Sequence, residues 1–170
     1  MMESVLETER LALRHLREDD APFILELVND PSWLEYIGNK NIKTLEQAEA
    51  YIRKGPVASY AKNGFGLYLV VLKVATVPLG ICGLVKRDSL KDIDLGFALR
   101  PQYWSNGYAR EAAEATMGEA KALKLKRVVA ITSPGNHASI RLLEKLGFKF
   151  EEQLKLPGDD KDVKLFGAAI

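Results

Sequence analysis

Most residues that could do chemistry lie between Asp92 and Ala113. Asp92 and Asp94 stand two apart, so an extended chain projects both side chains from one face, opposite Ile93 and Leu95. Acids so placed can take a proton, hold an amine, or merely keep a sheet face solvated. Further on, Trp104-Ser105-Asn106-Gly107-Tyr108-Ala109 makes a polar turn that opens directly into an alanine-rich helix. The first N–H groups of a helix lack partners within it and sit at the positive end of its dipole, so this turn suits an anion such as a phosphate. Gly107 fits that use because a side chain there would block close backbone approach. The same turn is also compatible with an ordinary Asn-Gly helix start.

These residues need a frame. Arg10 to Leu16 alternates as a strand, and a helix follows Asp19-Asp20, with Pro22 in its first turn and Phe23, Ile24, Leu27 and Val28 on one face. Asn29-Asp30-Pro31 ends it. A second helix begins at Thr44, where T-L-E-Q matches a capping box, and runs towards Gly55-Pro56, with a short helical piece over 57–62. Strands are then expected at 67–74, 79–86 and 93–99, joined by turns short enough for an antiparallel meander. A helix over 106–123, an apolar strand over 127–132, a helix over 137–146 and strands over 148–153 and 163–168 complete the chain. The order is that of a single α/β domain over residues 1–170, with a mixed, mostly antiparallel sheet and flanking helices.

Composition narrows the function classes. A chain of 170 residues with 47% hydrophobic and 28% charged residues and a net charge of +1 has no overall field to draw in nucleic acid or an anionic membrane. Neither partner is expected, and any anion site must be local. The amino terminus carries no apolar run of signal-peptide length, and the expected location is the cytoplasm. Two histidines, one cysteine (Cys82, within an apolar run) and no clustered ligand spacing give no metal site.

The turn Y-W-S-N-G-Y-A-R-E-A, followed after a strand by N-H-A-S-I-R-L-L-E-K-L-G-F, resembles the GNAT superfamily of acetyl-CoA-dependent N-acetyltransferases. The opening T-E-R-L-A-L-R-H-L-R-E-D-D and the late D-V-K-L-F are similar to one branch, the ribosomal-protein N-terminal (Rim-type) acetyltransferases. The resemblance implies a GNAT-like domain in which the strand ending at Leu99 splays from its parallel neighbour over 127–132. Backbone atoms of Phe97 and Leu99 would then hold the pantetheine arm of acetyl-CoA, with Asn136 touching it. The implied pyrophosphate loop is Trp104, Asn106, Gly107, Tyr108, Ala109 and Arg110. Trp104 departs from the usual Gln or Arg there, which leaves the backbone amides as the expected phosphate ligands.

Direct acetyl transfer to an amine requires a group to accept the amine proton, and a proton for the departing thiolate. Asp94 occupies the place of an acid in the Rim-type strand motif and is the first choice as base or amine binder. The tyrosine common in the helix after the asparagine is replaced by Leu143. Ser139, the serine of the Rim-type pattern, is the remaining protein donor, with water as the alternative. Trp33 and Tyr36, in a proline-broken stretch, suit the lip of an acceptor site, although core packing is the other use of such residues. The implied acceptor is an amine, either small or the α-amino group of a protein, and the sequence allows a homodimer. Trp104 and Leu143 keep open a second reading, an acetyl-CoA-binding sensor or scaffold without transfer activity.

Overall fold

In a computed structural model that describes residues 3–170, the alternating runs of the sequence become one eight-stranded sheet. Its strands are β1 (Leu6–Glu7), β2 (Leu11–His15), β3 (Leu67–Leu72), β4 (Val77–Val85), β5 (Asp94–Leu99), β6 (Arg127–Thr132), β7 (Lys149–Lys155) and β8 (Asp162–Ala169). They lie in the order β1-β2-β3-β4-β5-β6-β8-β7, antiparallel throughout except between β5 and β6. The helices are α1 (Ala21–Val28), α2 (Pro31–Tyr36), α3 (Leu45–Ile52), α4 (Ala58–Asn63), α5 (Tyr108–Ala122) and α6 (His137–Lys145).

Strand alternation divides the buried side chains between two faces. On one face Leu11, Leu13, Tyr68, Val70, Leu84, Leu95 and Leu99 pack with Ala112, Ala113 and Ala120 of α5. Small side chains there let α5 lie close to the sheet, next to the strand that leads into it. On the other face Leu69, Val71 and Ile81 are covered by Ile24 and Leu27 of α1 and Ala48 and Ile52 of α3. Cys82 is fully buried in the first cluster, and its thiol is pushed up to about 12 by that burial.

The element order expected from the sequence is present, with local differences. The stretch read as a proline-broken lip is helical: Asp30 accepts the Ser32 amide at 2.9 Å as N-cap, and Pro31 fits the first turn. The short strand β1 extends the sheet past β2 and was not expected. Strand β4 begins at Val77 because a bulge opposite Val70/Val71 accommodates Pro78 within the pairing. Helix α5 begins at Tyr108, with Gly107 before it in the left-handed region at φ +81°.

The feature that matters for the site is the seam between β5 and β6. Their pairing is confined to Asp94 and Val129, beside a bond from the Val129 amide to the Ile93 carbonyl at 3.0 Å. Beyond that point the strands splay, as expected. Strand β6 stays paired on its other side with β8 from Arg127 to Thr132. The unpaired edge therefore belongs to the stretch of β5 that leads to α5.

Candidate functional site

The Arg100 amide donates to the Leu79 carbonyl at 2.8 Å, which fixes the alternation along β5. Gly96 and Ala98 turn their main-chain groups towards β4, and Phe97 and Leu99 turn theirs towards the gap. The Leu99 carbonyl accepts the Trp104 indole N–H at 2.8 Å. Trp104 thus ties the end of the strand to the turn that follows it. The Phe97 amide and carbonyl and the Leu99 amide face the space that a third extended backbone could fill.

The turn before α5 is built to present donors. Ser105 (φ +64°) and Gly107 (φ +81°) both lie in the left-handed region, a conformation that gathers successive amides on one side. The Asn106 side-chain amide braces the turn by donating to the carbonyls of Tyr103 (3.3 Å) and Trp104 (2.9 Å). Helix α5 has no side-chain cap, whereas Asn136 caps α6 and Thr44 caps α3. Among the described residues, no protein acceptor engages the amides of Asn106, Gly107, Tyr108, Ala109 or Arg110. The Arg110 guanidinium is paired with Glu114 at 2.8 Å, so its amide and not its side chain faces the site. These residues fit a diphosphate.

At the closed end of the gap sits Asp94, only 1% exposed, which removes the option of a solvated sheet face. One carboxylate oxygen, Oδ2, accepts from Arg87 Nε at 2.7 Å, and Oδ1 is buried with no protein partner. Burial raises the Asp94 pKa above the usual carboxylate range, and the Arg87 charge partly opposes that rise. Asp92 does not share this environment. It precedes β5 and accepts from Arg127 Nε at 3.0 Å, in a cluster with Glu151. The two acids are therefore separated in role: Asp92 is structural, and Asp94 keeps a free oxygen. Strand β5 spans about 17 Å from Asp94 to Leu99 at the usual rise per residue, a distance on the scale of a pantetheine arm.

Beyond β6 the chain turns through Ser133-Pro134-Gly135 into α6. Asn136 Oδ1 accepts the Ser139 amide at 3.3 Å, so the expected N-cap is present, and both side chains are half-buried. Ser133 Oγ donates to the Tyr36 carbonyl, joining the end of α2 to this turn. Tyr36 lines an open cleft of about 430 Å³ with Ser133, Gly135, Gln153 and Asp162. Trp33 does not form a lip: it is 5% exposed and packs in the core with Ile24 and Ile52, because α2 turns that face inward. Leu143, which replaces the tyrosine that the resemblance implies for α6, is 1% exposed in the first core cluster. Among the described residues no group of three His, Cys, Asp or Glu side chains could hold a metal.

Two residues of this region escaped the sequence reading. Arg87 lies just past β4 and meets Asp94 because Val85 pairs with Asp94 across the hairpin. That pairing could have been anticipated from the turn. Arg10 reaches Glu111 across most of the chain, and nothing in the local pattern signals it.

The acetyltransferase (GNAT) domain family model matches residues 10–149. An uncharacterised N-acetyltransferase of Bacillus subtilis (strain 168), YoaA, is 30% identical over 154 residues, which cover 89% of this chain and 86% of that protein. The crystal structure of an acetyltransferase from Agrobacterium tumefaciens superposes with a TM-score of 0.82 at 25% identity, covering 100% of this chain and 98% of that one. RimL, a ribosomal alpha-N-protein acetyltransferase solved in complex with coenzyme A, shares the fold with a TM-score of 0.83 at 19% identity, covering 99% and 98%.

Proposed function

This chain belongs to the acetyltransferase (GNAT) family and transfers an acetyl group from acetyl-CoA to an amine, and on that premise we propose that the amine is the α-amino group of a protein, with Asp94 as its base. The observation that carries the base assignment is the buried, unpartnered Oδ1 of Asp94 beside the open edge of β5. Bound acetyl-CoA supplies the thioester that is attacked. The chain's own part is to align it: amides before α5 hold phosphates, and outward-facing groups of Phe97 and Leu99 hold the arm. Arg87 fixes one oxygen of Asp94 so that the other points to an incoming ammonium and accepts its proton. Cys82 is buried with its thiol raised to about 12, so no cysteine of the chain is disposed to carry the acetyl group, which supports direct attack. Ser139 or water would return a proton to the thiolate, a good leaving group that asks little of its acid.

Three features favour an α-amino acceptor. An α-amine has an ordinary pKa of about 8, well below that of a lysine, so a carboxylate can serve as its base near neutrality. The cleft at Tyr36 is open, which suits a chain end better than an enclosed small molecule. Rim-type motifs stand at both ends of the chain, and the RimL fold superposes on it. The departures that kept a non-transferring module open have structural uses instead: Trp104 braces Leu99, and Leu143 fills the core. The test offers acetyl-CoA with peptides bearing free or blocked N-termini and with polyamines, read by mass. Acetylation confined to free α-amines is expected, and equal labelling of a blocked, lysine-containing peptide would overturn the proposal.

The Asp94–Arg87 pair gives a pH dependence with a definite sign. The base must be deprotonated, so kcat/KM rises as pH rises through the Asp94 pKa. Arg87 holds that pKa down against burial, and Arg87 is also close enough to act on Lys40 and Tyr51. Arg87→Gln is therefore expected to move the acid limb of the profile to higher pH and to leave acetyl-CoA affinity unchanged. A limb that stays in place, or moves down, would show that Arg87 does not tune this base.

A further inference from the structure

Resting on the phosphate-loop reading above, we propose that Arg10, from the opening segment of the chain, is a direct ligand of the acetyl-CoA diphosphate and supplies a fixed positive charge beside the amides of the loop. Its guanidinium is held on three sides. Nε donates to Glu111 Oε1 at 2.7 Å, Nη1 donates to the Asn106 carbonyl at 2.9 Å, and Cζ lies 4.4 Å from the centre of the Tyr108 ring. These contacts fix the plane of the group, which leaves Nη2 as the free arm of the fork. Nη2 lies 3.3 Å from the point a Cβ on Gly107 would occupy, directly over the glycine. Among the described residues Nη2 has no protein acceptor, and the side chain is 40% exposed.

Glu111 would ordinarily repel a diphosphate one turn away. Here its carboxylate is consumed by protein donors: the Thr8 hydroxyl, the Arg10 amide at 2.9 Å and Arg10 Nε. The acid therefore anchors the arginine, and the guanidinium is left to meet the ligand. Arg110, the other cation of the turn, is committed to Glu114 on the exposed helix surface. A planar fork with one edge pinned and one N–H free suits a phosphate oxygen, which a charge-assisted hydrogen bond holds more strongly than a neutral donor would.

The test separates the phosphates from the rest of the donor. Arg10→Gln is expected to raise the Kd for coenzyme A by roughly 10- to 100-fold, the range of a charge-assisted hydrogen bond, and to leave the KM for S-acetylpantetheine unchanged. Unchanged coenzyme A affinity overturns the proposal. So does an equal loss with both donors, which would make Arg10 a prop of the fold. A measurement on the wild-type chain needs no variant: inorganic pyrophosphate should slow dicarbonyl labelling of Arg10 and leave Arg110 labelling unaltered, and equal Arg10 labelling with and without pyrophosphate overturns it. If Gly107→Val weakens coenzyme A binding and Arg10→Gln does not, only the Arg10 assignment fails. If neither variant matters, the phosphate loop is wrong as well.

Discussion

Gly107→Val is expected to weaken acetyl-CoA binding by about 100-fold or more, equivalent to roughly 2.7 kcal/mol, with the fold retained. Two effects act together. Gly107 sits at φ +81°, where a β-branched residue is strained by roughly 1–3 kcal/mol, so the turn will rotate to relieve it. Rotation takes the amides of Asn106 to Arg110 out of their common direction. A side chain would also project to within 3.3 Å of Arg10 Nη2 and cover the surface a phosphate must approach. Calorimetry with coenzyme A checks the affinity, and circular dichroism checks that the chain still folds. Retained affinity in a folded variant would place the diphosphate elsewhere.

Asp94→Asn is expected to act on turnover instead. It keeps the shape of the side chain and removes the proposed proton acceptor, so kcat should fall by roughly 10²- to 10³-fold, within the range for loss of a general base. The KM for acetyl-CoA should stay the same, because Asp94 stands at the far end of β5 from the phosphate turn. The acid limb of the pH–rate profile should disappear with it. Arg87, 36% exposed, can turn to water once its partner is neutral, so a collapse of the fold is not expected. An unaltered profile would remove Asp94 as base. Those two outcomes together would divide the site into a binding end and a reacting end.

Most residues of both proposed ends stand in one sequence segment, which made their placement in the fold legible. Period-two alternation placed Asp94 on β5, and the glycine turn placed the start of α5 to within two residues. What escaped depended on contacts that no window contains. Trp33 reads as an aromatic near a proline, and its burial follows only from the capping of α2 by Asp30 and the packing of that helix against α1 and α3. Asp92 and Asp94 look equivalent by spacing, but Arg127 and Arg87 claim them separately. Arg10 reads as part of an opening strand motif, and its tie to Glu111 exists only because α5 lies across the start of β2. Arg87 is the intermediate case, recoverable from hairpin geometry once β4 and β5 are paired.

The sheet joins its two lobes across β5 and β6 through one registered rung, Asp94 with Val129. A zipper with most of its teeth missing should not transmit unfolding across it. Amide exchange in the ligand-free protein is therefore expected to show two opening units, one on each side of that rung, bridged by α5. A ligand whose extended arm threads between the strands would supply the absent teeth. Coenzyme A should then merge the two units into one, so that saturation with substrate makes the catalyst a single mechanical body for the length of a turnover.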